Sequence, residues 1–249
     1  MDAVLNLIMQ HCDIFKENVT DLTPQEFTNI RRDTIGASDS SVILGLQSKW
    51  KTTEDLITEK LRIDVTEDEI EVGRKATVRM GRDLEPFILA KAEEVFNNNI
   101  VKPPHMFVLK EYPYLSINFD GVMIVENNLI PVEAKTVSQF GDKYYNKEHC
   151  VFEYEYGETV KSNLINLQDN FINLDINDKA ELCGVPVYYY AQVQQQLLST
   201  TSTYAYLVAL HVKDWTLRVY RIPRDTQVQQ QIILKGYETF QRIKKLKGV

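Results

Sequence analysis

Asp120-Gly121-Val122-Met123-Ile124-Val125-Glu126-Asn127-Asn128-Leu129-Ile130-Pro131-Val132-Glu133-Ala134-Lys135-Thr136 is the stretch on which the reading of this chain turns. Two β-rich runs, Gly121–Val125 and Leu129–Lys135, flank the turn-forming Glu126-Asn127-Asn128, so the segment reads as a hairpin. Asp120 stands at the start of the first strand. In the second, residues two apart share a face, so Glu133 and Lys135 point the same way. Two carboxylates and one ammonium group therefore meet at one point, with the main-chain carbonyl of Ala134 available between them. Hard oxygen donors suit Mg²⁺, which keeps several of its waters. A lysine beside them orients or helps deprotonate an attacking water, or neutralises charge developing on phosphorus. This is the minimum set for metal-dependent phosphodiester cleavage. By itself the same pattern also describes an exposed hairpin whose Glu and Lys are solvated on one face.

Three other segments add to it. In Arg31-Arg32-Asp33-Thr34-Ile35-Gly36-Ala37-Ser38-Asp39-Ser40-Ser41-Val42-Ile43-Leu44-Gly45, Ser38 reads as the N-cap of a short helix that buries Val42, Ile43 and Leu44. Free N–H groups at such a helix start, with the fork of Arg31 beside them, suit a terminal phosphate. Arg32 competes with Arg31 for the inward position, and the sequence leaves that choice open. Met80-Gly81-Arg82-Asp83-Leu84-Glu85-Pro86-Phe87-Ile88 lies on a helix predicted from about Val72 to Val95. There Pro86 removes one hydrogen bond and kinks the helix where Glu85 turns inward. Pro186-Val187-Tyr188-Tyr189-Tyr190-Ala191-Gln192-Val193-Gln194-Gln195-Gln196-Leu197 predicts a helix with Tyr189, Gln192, Val193 and Gln196 at three- and four-residue spacing. Gln194 and Gln195 read as exposed.

Taken together and in this order, the four segments resemble the lambda-exonuclease/YqaJ-type viral recombinase family of the PD-(D/E)xK nucleases, from roughly Arg31 to Leu210. The resemblance implies a Mg²⁺-dependent deoxyribonuclease, with Mn²⁺ as an alternative ion. Its substrate would be linear double-stranded DNA, digested 5′ to 3′ to leave 3′ single strands for recombination by strand annealing. It puts Glu85, Asp120, Glu133, Lys135 and Gln192 in the catalytic set, and Asp120, Glu133 and the Ala134 carbonyl on the metal. Arg31 and Ser38 fall where the family holds the terminal phosphate, and Tyr189 lies where its hydroxyl reaches the same site. Implied partners are DNA ends, a single-strand annealing protein and further copies of the chain, in a trimeric ring. Two rivals stand beside this reading: an endonuclease of the same superfamily, which would cut closed circles, and a non-catalytic nuclease-fold DNA-binding or assembly protein. An end-binding pocket argues against the first. Carboxylates that repel one another without a metal argue against the second.

Beyond the glutamine helix, Thr203–Leu210 and Thr216–Ile222 predict a strand pair, and Gln227–Lys247 a terminal helix. The expected fold is therefore α/β (mixed α+β): a central mixed β-sheet flanked by helices, with the restriction-endonuclease-like PD-(D/E)xK core. At 249 residues and 44% hydrophobic content, with no Pro/Gly-rich linker, residues 1–249 read as a single nuclease domain. Residues 1–30 are expected to be a helical segment, and about 137–185 an insertion. That insertion reads as an aromatic DNA-contacting loop, a subunit contact or a helical elaboration over Lys161–Ile176. Without a membrane-spanning run or a signal sequence, a cytoplasmic location is expected. Cys12, Cys150 and Cys183 are too few and too scattered for a disulfide framework, a zinc site or an iron–sulfur cluster.

The net charge is −7, with 28 Lys+Arg against 35 Asp+Glu, whereas a DNA-binding surface is basic. A local cluster answers this, formed by Arg31, Arg32, Lys49, Lys51, Arg74, Lys75, Arg79 and Arg82. Arg242, Lys244, Lys245 and Lys247 make a second patch. An acidic exterior around a basic inner channel reconciles the two, and Ile63–Glu71 reads as an acidic solvated loop.

Overall fold

The computed structural model describes residues 1–47, 49–62, 75–155, 158–162 and 174–248. In chain order its elements begin α1 (Asp2–Ile8), β1 (Cys12–Lys16), α2 (Pro24–Ile30), β2 (Ile35–Gly36), α3 (Ser40–Ile43), α4 (Thr53–Leu61) and α5 (Ala76–Phe96). Next come β3 (Met106–Leu109), β4 (Leu115–Ile117), β5 (Gly121–Val125), β6 (Asn128–Val137), β7 (Phe152–Glu155) and β8 (Glu158–Ser162). The chain closes with α6 (Ile176–Leu182), α7 (Val187–Leu197), β9 (Tyr204–His211), β10 (Thr216–Pro223) and α8 (Thr226–Lys247).

The predicted hairpin is β5–β6. Val125 pairs with Asn128, and the two residues between, Glu126 and Asn127, take φ of 48° and 62°. Two left-handed residues make the turn whose twist matches that of the flanking strands. The hairpin forms one edge of a six-stranded sheet in the order β5-β6-β9-β10-β7-β8. Only β6 and β9 run parallel in it, and the crossover between them carries α6 and α7. β6 and β9 are buried along most of their length, as central strands covered on both faces are. On one face, Val132 and Ala134 pack with Met123, Val208 and Ile88 of α5. The alternate residues of β6, Glu133 and Lys135, therefore face the other layer, where α7 lies.

The expected central mixed sheet flanked by helices is present, and a second sheet, β1-β3-β4-β2, joins it. Three expectations change. Residues 1–30 are not wholly helical, because Cys12–Lys16 pairs with β3. The run Leu115–Asp120 is not one strand feeding the hairpin: β4 ends at Ile117 and belongs to the second sheet. This break frees Asp120 from any ladder. Within 137–185, β7 and β8 extend the main sheet from β10, so Lys161 and Ser162 end a strand rather than start a helix. Residues 163–173, the acidic run 63–71 and Arg74 lie outside the described residues. In α8, Ile232 and Ile243 are buried as expected, whereas Leu234 and Tyr237 are exposed.

Candidate active site

Asp120 immediately precedes β5, and the register places it across from Glu133, one step beyond the Gly121–Val132 pair. Its Oδ2 accepts from the Ala134 N–H at 3.0 Å. Glu133 is fully buried and wholly engaged. Its Oε1 accepts from Lys135 Nζ and Gln192 Nε2, and its Oε2 from Gln196 Nε2 at 2.6 Å. Glu85 comes in from α5 and pairs with Lys102. One cavity of about 260 Å³ brings Glu85, Asp120, Glu133, Lys135 and Gln192 together with Arg31 and Ser38. Tyr189 meets the site through its ring, 4.9 Å below Lys135 Nζ, where its hydroxyl was the expected contact. It lines a neighbouring cavity instead of this one.

The choice between the arginines is decided by the fold. Arg31 donates through Nη2 to Ser38 Oγ and lies 3.8 Å from Asp39 Oδ1. Arg32 is buried, and its Nη1 donates to the Arg62 carbonyl at 3.1 Å. Ser38 is not a helix cap. It sits inside the tight turn Ala37–Asp39, and Asp39 takes the N-terminal flanking position of the four-residue α3 while its carboxylate accepts from the Gly36 N–H at 3.0 Å rather than from the helix. So short a helix sums few peptide dipoles. The positive character of this corner comes instead from Arg31 and from Lys60, which donates to the Arg31 carbonyl at 2.7 Å and pairs with Asp39 at 2.8 Å. Gly36 leaves room for the guanidinium, since a Cβ there would stand 3.1 Å from Arg31 Nη2 and push it aside by a few tenths of an ångström.

Charge divides the cavity in two. On the hairpin side three carboxylates share two ammonium groups; at the Arg31 corner one carboxylate shares two cations. Burial first, and then Asp120, raise the carboxyl of Glu133 to about 7, and the same two causes raise Glu85. Burial disfavours charged Lys135, but Glu133 and Asp120 outweigh it and hold the ammonium more firmly than usual. Burial likewise opposes the Asp39 anion, yet Lys60 and Arg31 bring its pKa down to about 2.

Gln194 and Gln195, expected to be exposed, are fully buried. The reason is that α7 runs through the interior, where its amides satisfy irregular backbone. Gln195 Nε2 donates to the Ile35 and Ser116 carbonyls at 3.0 and 2.9 Å, and its Oε1 accepts from Ser40 at 2.6 Å. Gln194 binds the Pro223 carbonyl at 2.8 Å. Three residues at the site were given no role there by the sequence reading: Gln196, Lys60 and Lys102. Gln196 follows Gln192 by one turn, and Lys60 follows Leu56 and Ile57 at helical spacing, so both carried a periodic signal. Lys102 carried none.

The donors present fit a hard divalent cation. Asp120 and Glu133 supply carboxylate oxygens, and a strand residue sends its N–H and C=O toward the same edge, so the Ala134 carbonyl faces the Asp120 side. Among the described residues, no group of three or more His, Cys, Asp or Glu is gathered to chelate an ion as it stands. The pairings explain this: Lys135 holds Glu133, and Lys102 holds Glu85. The uncompensated carboxylate charge and the raised pKa of Glu133 mark a place where added positive charge is favourable.

The fold is the mixed α/β arrangement of the PD-(D/E)xK type. The chain belongs to the YqaJ-like viral recombinase domain family, whose profile matches residues 26–203. It is 27% identical over 136 residues to the uncharacterized protein YqaJ of Bacillus subtilis (strain 168), a match covering 54% of this chain and 40% of that relative's length. The crystal structure of an alkaline exonuclease (LHK-Exo) from Laribacter hongkongensis superposes with a TM-score of 0.52 at 14% identity, over 89% of this chain and 95% of that one. A structure of LHK-Exo in complex with dAMP gives 0.52 at 13% identity over the same shares. These likenesses are of fold. Among the described residues no helix is long and apolar enough to cross a membrane.

Proposed function

We propose that the protein is a divalent-metal-dependent exonuclease that digests linear duplex DNA from its 5′ ends, leaving 3′ single strands for recombination by annealing. The observation that carries this is one cavity combining an acidic, metal-suited side with a cationic corner suited to a terminal phosphate. Asp120, Glu133 and the Ala134 carbonyl would hold Mg²⁺ or Mn²⁺, which supplies Lewis-acid polarisation of the phosphate and a more acidic water. Lys135, kept protonated by its acidic neighbours, counters charge developing on phosphorus. This narrows its expected role, because a lysine so held is a poor proton acceptor. Gln192 and Gln196 fix both oxygens of Glu133 so that it does not rotate away. Glu85 completes the acidic side, and Arg31 with Ser38 grips the 5′-phosphate. Tyr189 supports Lys135 from below.

In this reading the enzyme acts in the cytoplasm as a homo-oligomeric ring that threads its product strand, and hands it to a single-strand annealing protein. The test is incubation with Mg²⁺ and either a 5′-phosphorylated linear duplex or the same DNA as a closed circle, with Asp120→Ala as control. Loss of the linear form alone, absent in the control, is the expected result. Cutting of the circle would move the assignment to an endonuclease, and cutting of neither would favour a binding or assembly role.

A further inference from the structure

Beside the catalytic cavity lies a second one of about 380 Å³, walled by Trp50, Phe140, Tyr144, Tyr145, Tyr188 and Tyr189. That volume is within the range of small-ligand sites. The aromatic rings form a connected path. Trp50 meets Tyr188 edge-on at 6.1 Å, Tyr188 meets Tyr189 at 4.5 Å, and Tyr189 carries Lys135 over its face. The outer members are not core residues, since Trp50 is 67% and Phe140 83% exposed. Lys143 lies 5.0 Å over the Tyr144 ring, so cations stand at both ends. Two lining residues also bring polar atoms that are buried and unpartnered among the described residues, Thr136 Oγ1 and the Tyr145 hydroxyl. Closed aromatic packing has no use for those two atoms or for the exposed rings. A planar heterocycle with polar edges, on an anionic backbone, uses all of them.

The geometry points to this cavity as a nucleobase subsite, and we propose that it takes the base on the 3′ side of the scissile phosphate. The inference rests on the nuclease reading above. With the terminal phosphate at Arg31 and the reacting phosphate beside Lys135, the strand leaving the first cavity passes Lys135 and Tyr189, the wall that the two cavities share. To enter, the base must leave its pair in the duplex, and its stacking in the cavity would hold the next phosphodiester in place after each cut. It would do so with little dependence on sequence, because every base has a stacking face.

The test uses the full chain and a 5′-phosphorylated duplex with 2-aminopurine at the second nucleotide from the 5′ end. Binding to the cleavage-deficient Asp120→Asn protein in Mg²⁺ should quench its fluorescence, and adding Trp50→Ala or Tyr188→Ala should remove the quench. In single-turnover cleavage by the unsubstituted protein, an abasic site at that nucleotide should slow the cut about tenfold, as loss of one stacked base predicts. The Trp50→Ala and Tyr188→Ala proteins should cut the two substrates alike. Equal quench with and without the rings, or the same abasic penalty in the variants, would overturn the proposal. Equally tight binding of free 2-aminopurine nucleoside 5′-monophosphate would also overturn it, by assigning the cavity to released product. If no DNA is cut at all, the exonuclease reading fails while the quench still decides the subsite. Should Trp50→Ala lower the melting temperature, Phe140→Ala, at the exposed rim, replaces it.

Discussion

Glu133, in the wall of the cavity, and Asp39, behind its Arg31 corner, are both buried carboxylates, and their surroundings drive them in opposite directions. Glu133 rises to about 7, because burial and Asp120 outweigh Lys135 and the Gln196 amide. Asp39 falls to about 2, because Lys60 and Arg31 outweigh burial. Depth therefore does not separate them; the count of neighbouring charges does. Asp39 belongs to a self-sufficient cluster with positive charge to spare, whereas Glu133 belongs to a cluster with negative charge to spare. An anion is accommodated by the first and a cation by the second. A divalent cation held on the acidic side and a terminal phosphate at the Arg31 corner would satisfy both.

Asp120→Asn makes the largest break in this contrast. Its amide oxygen still accepts from the Ala134 N–H, but one excess charge is gone, and cleavage should fall on the order of 10³-fold. The metal-free protein should melt no lower than the parent, and the rise in melting temperature on adding Mg²⁺ or Mn²⁺ should vanish. A parent-like cleavage rate would remove Asp120 from the metal set. Asp39→Asn should act the other way round. By leaving Lys60 buried without its anion it should cost about 3 kcal/mol of stability, readable as a shift in the urea midpoint. A midpoint unmoved by that change would refute the account of the corner.

Arg31→Ala should reduce the preference for 5′-phosphate over 5′-hydroxyl ends by about tenfold, and Arg31→Lys should restore only part of it, since a lysine cannot form the two-pronged contact. The same loss on both kinds of end would make Arg31 structural. The smallest effect is in acid. Asp39 is held near 2 in the folded protein against an ordinary 3.8, so the stability it contributes is present above about pH 4 and is lost as pH falls toward 2. Urea unfolding between pH 5 and pH 2.5 should show this slope in the parent and a flatter one in Asp39→Asn. Parallel slopes would contradict it.

The hairpin with Asp120, Glu133 and Lys135 was legible because its information is local. Strand alternation puts Glu133 and Lys135 on one side, and the turn residues bring Asp120 back opposite them. Gln192 was legible through ordered motifs, which narrowed the phosphate-side arginine to Arg31 or Arg32 without choosing between them. The glutamines of α7 were misjudged because amide side chains are exposed more often than not, and only the packing of this helix within the fold buries Gln194 and Gln195. Ser38 was taken for a cap because Ser-Asp before an apolar run imitates one, while the tight turn Ala37–Asp39 gives the N-terminal flanking position to Asp39.

By itself, then, the sequence determined the elements whose cause lies within a few residues: the β5–β6 hairpin, the long helices α5 and α8, and the shared face of Glu133 and Lys135. Only the tertiary structure decided that Arg31 and not Arg32 faces the cavity, that Lys60 neutralises Asp39, that Lys102 reaches Glu85, and that β1 to β4 form a sheet of their own. Those pairings join residues 17 to 29 positions apart in the two cases of Glu85–Lys102 and Arg31–Lys60. Over such separations no backbone period couples the partners. What brings them together is the burial of apolar faces elsewhere, which leaves each charge only the partner that the packing delivers.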